Sequence, residues 1–317
     1  MAYLKVVSHH LVAASKEADR TFNTLNHSPA EIENALPNFR HLEPKPQPWL
    51  LLSPWLDLVL SSQRIPRDSV HQILLPRSFL LFLKHASESA LLTGRVPEAD
   101  AEELADLFPT STIRGKNIAA LIQKTKYFAR LDTCSLKDAI VGEGPIKNVK
   151  DIWTRLATSS RGMMGIRDIR NADPESDVYL WLFPWNENIQ TRFEYRVFCC
   201  PPEGEMVAVS QYQWHSKWYH GEKKRQEQHD IAERLVMNCQ VVHDQIMEHS
   251  AMTEEIRESG FVFDVVEDPD TQQVALLELN DFGAMSCCGS CLFQWIKDAE
   301  VLYGMKVEEG VEVRVAY

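Results

Sequence analysis

Two late hairpins constrain this chain more than any other feature. FEYRVFCC (193–200), PPEGE and MVAVSQYQW (206–214) form the first; FVFDVV (261–266), DPDTQQ and the run 274–280 form the second. Glu194 and Arg196 alternate with Phe193, Tyr195 and Val197 in the first run, and FVFDVV is apolar except at Asp264, patterns that read as strands. Short connections carrying Pro and Gly or Asp join them as antiparallel pairs.

The second hairpin raises a chemical question. In LLELNDFG (276–283), Glu278 and Asn280 are two positions apart and so face one side, while Asp264 sits on the preceding strand. The strands are otherwise apolar, through Phe261, Phe263, Leu276, Leu277 and Leu279. Two carboxylates and an amide oxygen suit a hard cation such as Mg²⁺, which keeps part of its water shell and recruits nucleotide phosphate oxygens. The plain alternative is a surface hairpin with its polar side chains turned to solvent.

Upstream, helix and strand patterns interleave. VHQILLP (70–76), KYFARLD (126–132) and DVYLWLF (177–183) read as strands. Helices are expected at 76–94, closed by Gly94, at 97–108 as an acidic solvated face, and at 118–125 and 149–160. The long helix 221–249 carries Ile231, Leu235, Asn238 or Cys239, Val242 and Ile246 along one stripe, and a short amphipathic helix is expected at 290–297. SPAE (28–31) offers a capping box with Pro29 opening a helix over 29–36, within an extension, 1–47, that runs into PKPQP (44–48). Helices mixed with antiparallel hairpins predict an α+β fold.

Charge and cysteine usage narrow the function. With 33 basic and 45 acidic side chains the net charge is −12, which argues against a general nucleic-acid binder, because a phosphate backbone rewards clustered Lys and Arg. Seven cysteines (134, 199, 200, 239, 287, 288 and 291) show no secreted disulfide framework, so a reducing, cytoplasmic setting is expected. The most apolar stretch, PWLLLSPWLDLVL (48–60), is cut by Pro54 and Asp57 and is too short to span a bilayer, so no membrane role is expected.

Three further stretches bear on a ligand. Arg130 lies inside an apolar strand, where a cation needs an anionic partner: a phosphate, or else Asp132 or Asp138. Glu194 and Arg196 share one strand face, either neutralising each other or one holding the other towards a phosphate. LWLFPW (180–185) reads as a core strand or as a frame for an adenine ring. CCGSC (287–291) lacks the second Cys or His pair of a zinc site, and the glycines of SSRGMMGIRDI (159–169) are weak evidence for a phosphate-cradling flap. The histidines are scattered and form no triad-like pattern.

Taken in order, FARLDTCSLKDA (128–139), FEYRVF with VSQYQW (209–214), and FVFDVV with LLELNDFG and SCLFQW (290–295) resemble the cell division cycle protein 123 family. PWLLLSPWLDLVL followed by RDSVHQILLP (67–76) is similar to that family's opening segment, so the resemblance covers roughly 48–297. It implies an ATP-grasp fold: two α+β lobes, here 48–180 and 181–317, with antiparallel or mixed sheets clamping Mg-ATP. On that resemblance Asp264, Glu278 and Asn280 match the metal-holding positions, and Arg130 the basic residue near the phosphates. Arg196, with Glu194, matches the E-x-R stretch, and Trp181, Leu182 and Phe183 would frame adenine.

The chain also departs from the family. Glu278, Leu279, Asn280 and Asp281 stand where Asp-Phe-Asn-Pro is usual, and Arg130 replaces a common lysine. Cysteines 287 and 288 replace a threonine and an aspartate, and the longer acidic tail does not follow. These departures lean the expectation towards a ligase that activates a small carboxylate as an acyl phosphate for attack by an amine or thiol. Arg130 and Arg196 would then neutralise the transferring phosphoryl group. The alternative implied by the family is an ATP-binding chaperone that assembles translation initiation factor 2 by binding its γ subunit.

Overall fold

The structure, a computed structural model, describes residues 2–15, 21–23, 27–35, 51–142, 144–286, 288–305 and 310–317. The proline-rich stretch 44–48 and Cys287 lie outside them. In chain order the first elements are β1 (Ala2–Val7), α1 (His9–Ala14), α2 (Pro29–Ala35), α3 (Leu52–Ser62), β2 (His71–Leu75), α4 (Arg77–Thr93), α5 (Glu98–Leu107) and α6 (Ile118–Lys124). There follow β3 (Tyr127–Leu131), α7 (Val149–Thr158), α8 (Ser160–Ala172), β4 (Val178–Pro184), β5 (Glu194–Cys200), β6 (Glu205–Gln211) and α9 (Arg225–Glu248). The chain ends with α10 (Glu254–Ser259), β7 (Phe261–Glu267), β8 (Val274–Asp281), α11 (Ala299–Leu302) and β9 (Val311–Ala316).

Two compact units share these elements. One comprises Met1–Leu50, Pro54–Gln63 and Glu187–Tyr317; the other, Leu51–Ser53 and Arg64–Asn186. The boundary expected at 180/181 falls inside β4, and the chain leaves that unit only after Asn186.

The larger unit is built on a six-stranded sheet of order β1-β9-β6-β5-β7-β8. β5 pairs antiparallel with β6 and β7, and β7 with β8, so both expected hairpins form; β9 pairs parallel with β1 and β6. β1 lies in the stretch read as an extension, yet it is an edge strand of this sheet.

Alternation sorts the residues into two rows that cross all six strands. Leu4, Val313, Val209, Val197, Phe263 and Leu279 are successive register partners, every one apolar and buried. One position along lies a row of opposite character: Lys5, Arg314, Ser210, Arg196, Asp264 and Glu278. Because neighbouring positions on a strand face opposite sides, the apolar and polar rows lie on different faces.

α9 packs against strands at both edges of the sheet, β1 and β8. Its 24 residues span about 36 Å at ~1.5 Å per residue, longer than six strands spaced ~4.8 Å apart. The expected stripe is the buried one, with Cys239 rather than Asn238 in it. Asn238 instead donates its amide to Gln272 O (2.7 Å) in the turn between β7 and β8. In α2 the capping box forms as read: Ser28 N–H donates to Glu31 Oε2 (2.7 Å) and Glu31 N–H to Ser28 Oγ (3.2 Å).

In the smaller unit an antiparallel sheet of order β2-β4-β3 buries Ile73, Leu75, Ala129, Leu131, Leu180 and Leu182 with α4 and α7 residues such as Phe79, Leu83, Ile152 and Leu156. α4 stops at Gly94, whose φ of 70° is a conformation glycine adopts without strain. In the stretch 159–169, weighed as a phosphate-cradling flap, Ser159 caps helix α8 and the rest lies within it. Its glycines serve packing: a Cβ on Gly162 would come within 2.6 Å of Leu136 Cδ2, and one on Gly165 would collide with Thr133 Oγ1.

No helix among the described residues is long and apolar enough to cross a membrane.

Candidate functional site

The centre of the polar row is an ion pair. Arg196 and Asp264 are direct partners across β5 and β7; Arg196 Nε donates to Asp264 Oδ1 at 2.8 Å and Arg196 Nη2 to Oδ2 at 2.7 Å. Both side chains are buried, Asp264 at 1% exposure. This two-pronged geometry suits the flat guanidinium and resists rotation of the carboxylate. Burial works against the Arg196 charge, but Asp264 beside it outweighs this and raises its pKa above the ordinary arginine value. The third nitrogen, Nη1, donates to Gly289 O at 2.6 Å, and the guanidinium lies 5.0 Å from the Tyr212 ring centre.

Sequence spacing pointed to Glu194 as the near acid, and it does share the Arg196 face; the acid that Arg196 forks is Asp264, 68 residues away. Of five guanidinium N–H groups, three are spent on Asp264 and Gly289, so a phosphate contact from Arg196 falls to the remaining two.

The next strand supplies the other predicted donors. Glu278 is the register partner of Asp264, and Asn280 Nδ2 donates to Asp264 Oδ2 at 3.2 Å. A register shift in the β7–β8 ladder falls between Asp264 and Val265, so the regular pairing that aligns these residues ends just there. The three predicted oxygen donors are therefore brought to one face of one hairpin. With its NH₂ turned on Asp264, the Asn280 amide keeps its oxygen for another partner. Glu278 adds a second carboxylate to this face. Oxygen donors of this kind are the type that a hard cation such as Mg²⁺ takes. Among the described residues no group of three or more His, Cys, Asp or Glu side chains is spaced to hold a metal ion; the set here is two carboxylates and an amide.

Arginine also recurs further along the row. Arg314 Nη1 and Nη2 donate to Asp298 at 2.8 and 2.7 Å, and its Nε to Glu312 at 2.6 Å. The residues that follow β8 contribute two buried thiols, Cys288 and Cys291. Burial pushes both up despite Arg196 nearby, Cys291 to about 12, which disfavours the reactive thiolate.

The smaller unit has a row of its own: Gln72, Trp181, Arg130 and Ser135 are successive partners, so Arg130 and Trp181 share a face. The two acids considered as partners for Arg130 both bond to helix starts. Asp132 accepts from Ser53 N–H (2.7 Å), Ser53 Oγ (2.6 Å) and Trp181 Nε1 (3.3 Å). Asp138 accepts from Ser159 Oγ (2.5 Å), Ser160 Oγ (2.7 Å) and Arg161 N–H (3.0 Å) at the start of α8. Arg130 Nε donates to Leu131 O at 3.2 Å. On β4, Trp181 and Leu182 have ladder partners on both sides, whereas β2 ends opposite Leu182, leaving Phe183 paired, among the described residues, with Phe128.

The D123 family model matches residues 147–315, more than half of the chain. Cdc123 from Schizosaccharomyces pombe is similar in structure: 15% identity, TM-score 0.55, 93% of this chain and 100% of that chain covered. C-terminally truncated Cdc123 from the same organism gives 17% identity, TM-score 0.53, and coverage of 84% and 95%. At such identities the likeness speaks for the fold alone. No curated protein matches the chain. Matched by the family model across both hairpins and all of the polar row but Lys5, and like Cdc123 in its ATP-grasp-like α+β fold, the chain belongs to the D123 (Cdc123) family.

Proposed function

We propose that this protein is an Mg-ATP-binding assembly chaperone for translation initiation factor 2, engaging the γ subunit in the cytosol. The observation that carries this reading is family membership over a stretch that includes the whole Arg196–Asp264–Glu278–Asn280 arrangement. Mg²⁺ would be held by Glu278, the Asn280 oxygen and Asp264, and the bound nucleotide would act as a structural or switching ligand. Arg196 would keep Asp264 oriented. Arg130, Glu194, Trp181, Leu182 and Phe183 enter as nucleotide contacts through the family resemblance.

The expectation of a small-carboxylate ligase gives way to this reading. It leaned on Glu278 and on the altered cysteine segment. Glu278 stands in register with Asp264, where it serves cation binding equally well whether or not a phosphoryl group is transferred. Cys288 and Cys291 near Arg196 are buried, and burial pushes their thiols up, as suits packing.

The test is direct. Purified protein with Mg-ATP is expected to retain the factor 2 γ subunit on a column, and a pool of carboxylic acids and amines is expected not to stimulate ADP release. Acid-dependent ADP release without γ-subunit binding would restore the ligase.

A further inference from the structure

The stretch 288–292 is irregular and mostly buried, so its backbone polar groups need partners inside the protein. Those partners are largely side chains from elsewhere. Cys288 N–H donates to Ser286 Oγ (2.8 Å) and its carbonyl accepts from Trp295 Nε1 (3.1 Å). The Gly289 carbonyl accepts from Arg196. Leu292 N–H donates to Ser210 Oγ (3.1 Å) and its carbonyl accepts from Arg314 Nη1 (3.2 Å). Three members of the polar row thus grip the loop.

Cys291, between them, has φ 52°, a left-handed conformation uncommon for a residue with a side chain. It is held from the other end of the chain. Asn23 N–H donates to Cys291 O at 2.7 Å, and Cys291 N–H donates to Asn23 Oδ1 at 3.1 Å. A Cβ on Gly289 would collide with Asn23 Oδ1, so the same amide lies against the residue whose carbonyl receives Arg196.

We propose that Asn23 is a positioning residue: it latches the 288–292 loop and, through Gly289 and Arg196, sets the orientation of Asp264. The proposal rests on the reading of Asp264 as part of the Mg-ATP site. Asn23 has φ 47°, which asparagine and glycine tolerate. Asn23→Gly therefore keeps the backbone and removes the amide, while Asn23→Asp keeps the oxygen that receives Cys291 N–H.

The experiment is calorimetric titration of full-length variants with Mg-ATP, alongside amide hydrogen exchange at 288–292. Loss of one such hydrogen bond predicts roughly tenfold weaker Mg-ATP binding and faster exchange at Cys291 for Asn23→Gly, with Asn23→Asp within about twofold of the unaltered protein. Unchanged affinity in Asn23→Gly, or equal losses in both variants, would overturn the proposal. If Asn23→Gly does not fold, Mg-ATP added to the unaltered protein must slow exchange at Cys291; no slowing overturns the coupling. An unaltered protein that binds no Mg-ATP removes both the nucleotide reading and the positioning role, while the exchange data still decide whether the latch exists.

Discussion

Arg196 and Asp264 face each other across β5 and β7, joined by two hydrogen bonds of 2.8 and 2.7 Å at positions almost closed to solvent. A buried pair of this kind is costly to break from one side, because the survivor is left as an unpaired buried charge. Asp264→Ala is expected to lower stability by about 3–5 kcal/mol, whereas Asp264→Leu combined with Arg196→Met should cost less than the single change. Urea unfolding of the three proteins checks the order; a double variant weaker than Asp264→Ala contradicts it.

Gly165 tests whether the glycines of α8 are there for packing. Alanine is the better helix former by about 1 kcal/mol, but overpacking typically costs ~1–3 kcal/mol, and a methyl at 165 meets the Thr133 side chain. Gly165→Ala is expected to lower the Tm. Unchanged or raised stability would mean the Thr133 side chain simply moves aside.

The α8 cap gives a pH dependence with a defined sign. Burial alone would raise the Asp138 pKa, but the bonds from Ser159, Arg161 N–H and Ser160 outweigh it and hold it below its ordinary 3.8. An acid whose pKa is lower folded than unfolded stabilises above the unfolded value and loses that contribution as pH falls through the folded one. Asp138→Asn should therefore be less stable than the unaltered protein at pH 6–7, with the difference shrinking below pH ~4. Thermal melts across that range decide; a constant difference would place the effect in packing instead.

Local patterns made the hairpins, α4 and α9, the α2 capping box and the gathering of Asp264, Glu278 and Asn280 readable, because all follow from neighbouring residues and their period. What lay beyond reach depends on distant partners. Sequence offers Arg196 the acid Glu194, two positions away, while the acid that it forks is 68 residues on. The helix expected at 290–297 does not form because side chains there capture the local backbone. Ser290 Oγ donates to Phe293 O (2.7 Å), and Gln294 Oε1 accepts from Ile296 and Lys297 N–H (2.8 and 2.6 Å). Such bonds compete directly with helical ones. β1 escaped notice because Lys5 interrupts a short apolar run, although Lys5 belongs to the polar row and Leu4 to the apolar one.

The role of Arg130 separates from its burial. It sits in the row with Trp181, where the family resemblance puts a basic residue near the phosphates. Arg130→Met is expected to weaken Mg-ATP binding at least tenfold, about 1.4 kcal/mol, with Arg130→Lys recovering part of it. Titration of both variants checks this, and equal affinity for Met and Lys at that position would contradict it.

The most direct test concerns the oxygen donors on β8. Mg-ATP should raise the melting temperature of the unaltered protein, by an amount equivalent to about 2.7 kcal/mol at a hundredfold excess over Kd. Glu278→Ala combined with Asn280→Ala should abolish that rise while the protein without ligand melts as a folded chain. A double variant that gains the full stabilisation from Mg-ATP would contradict the account.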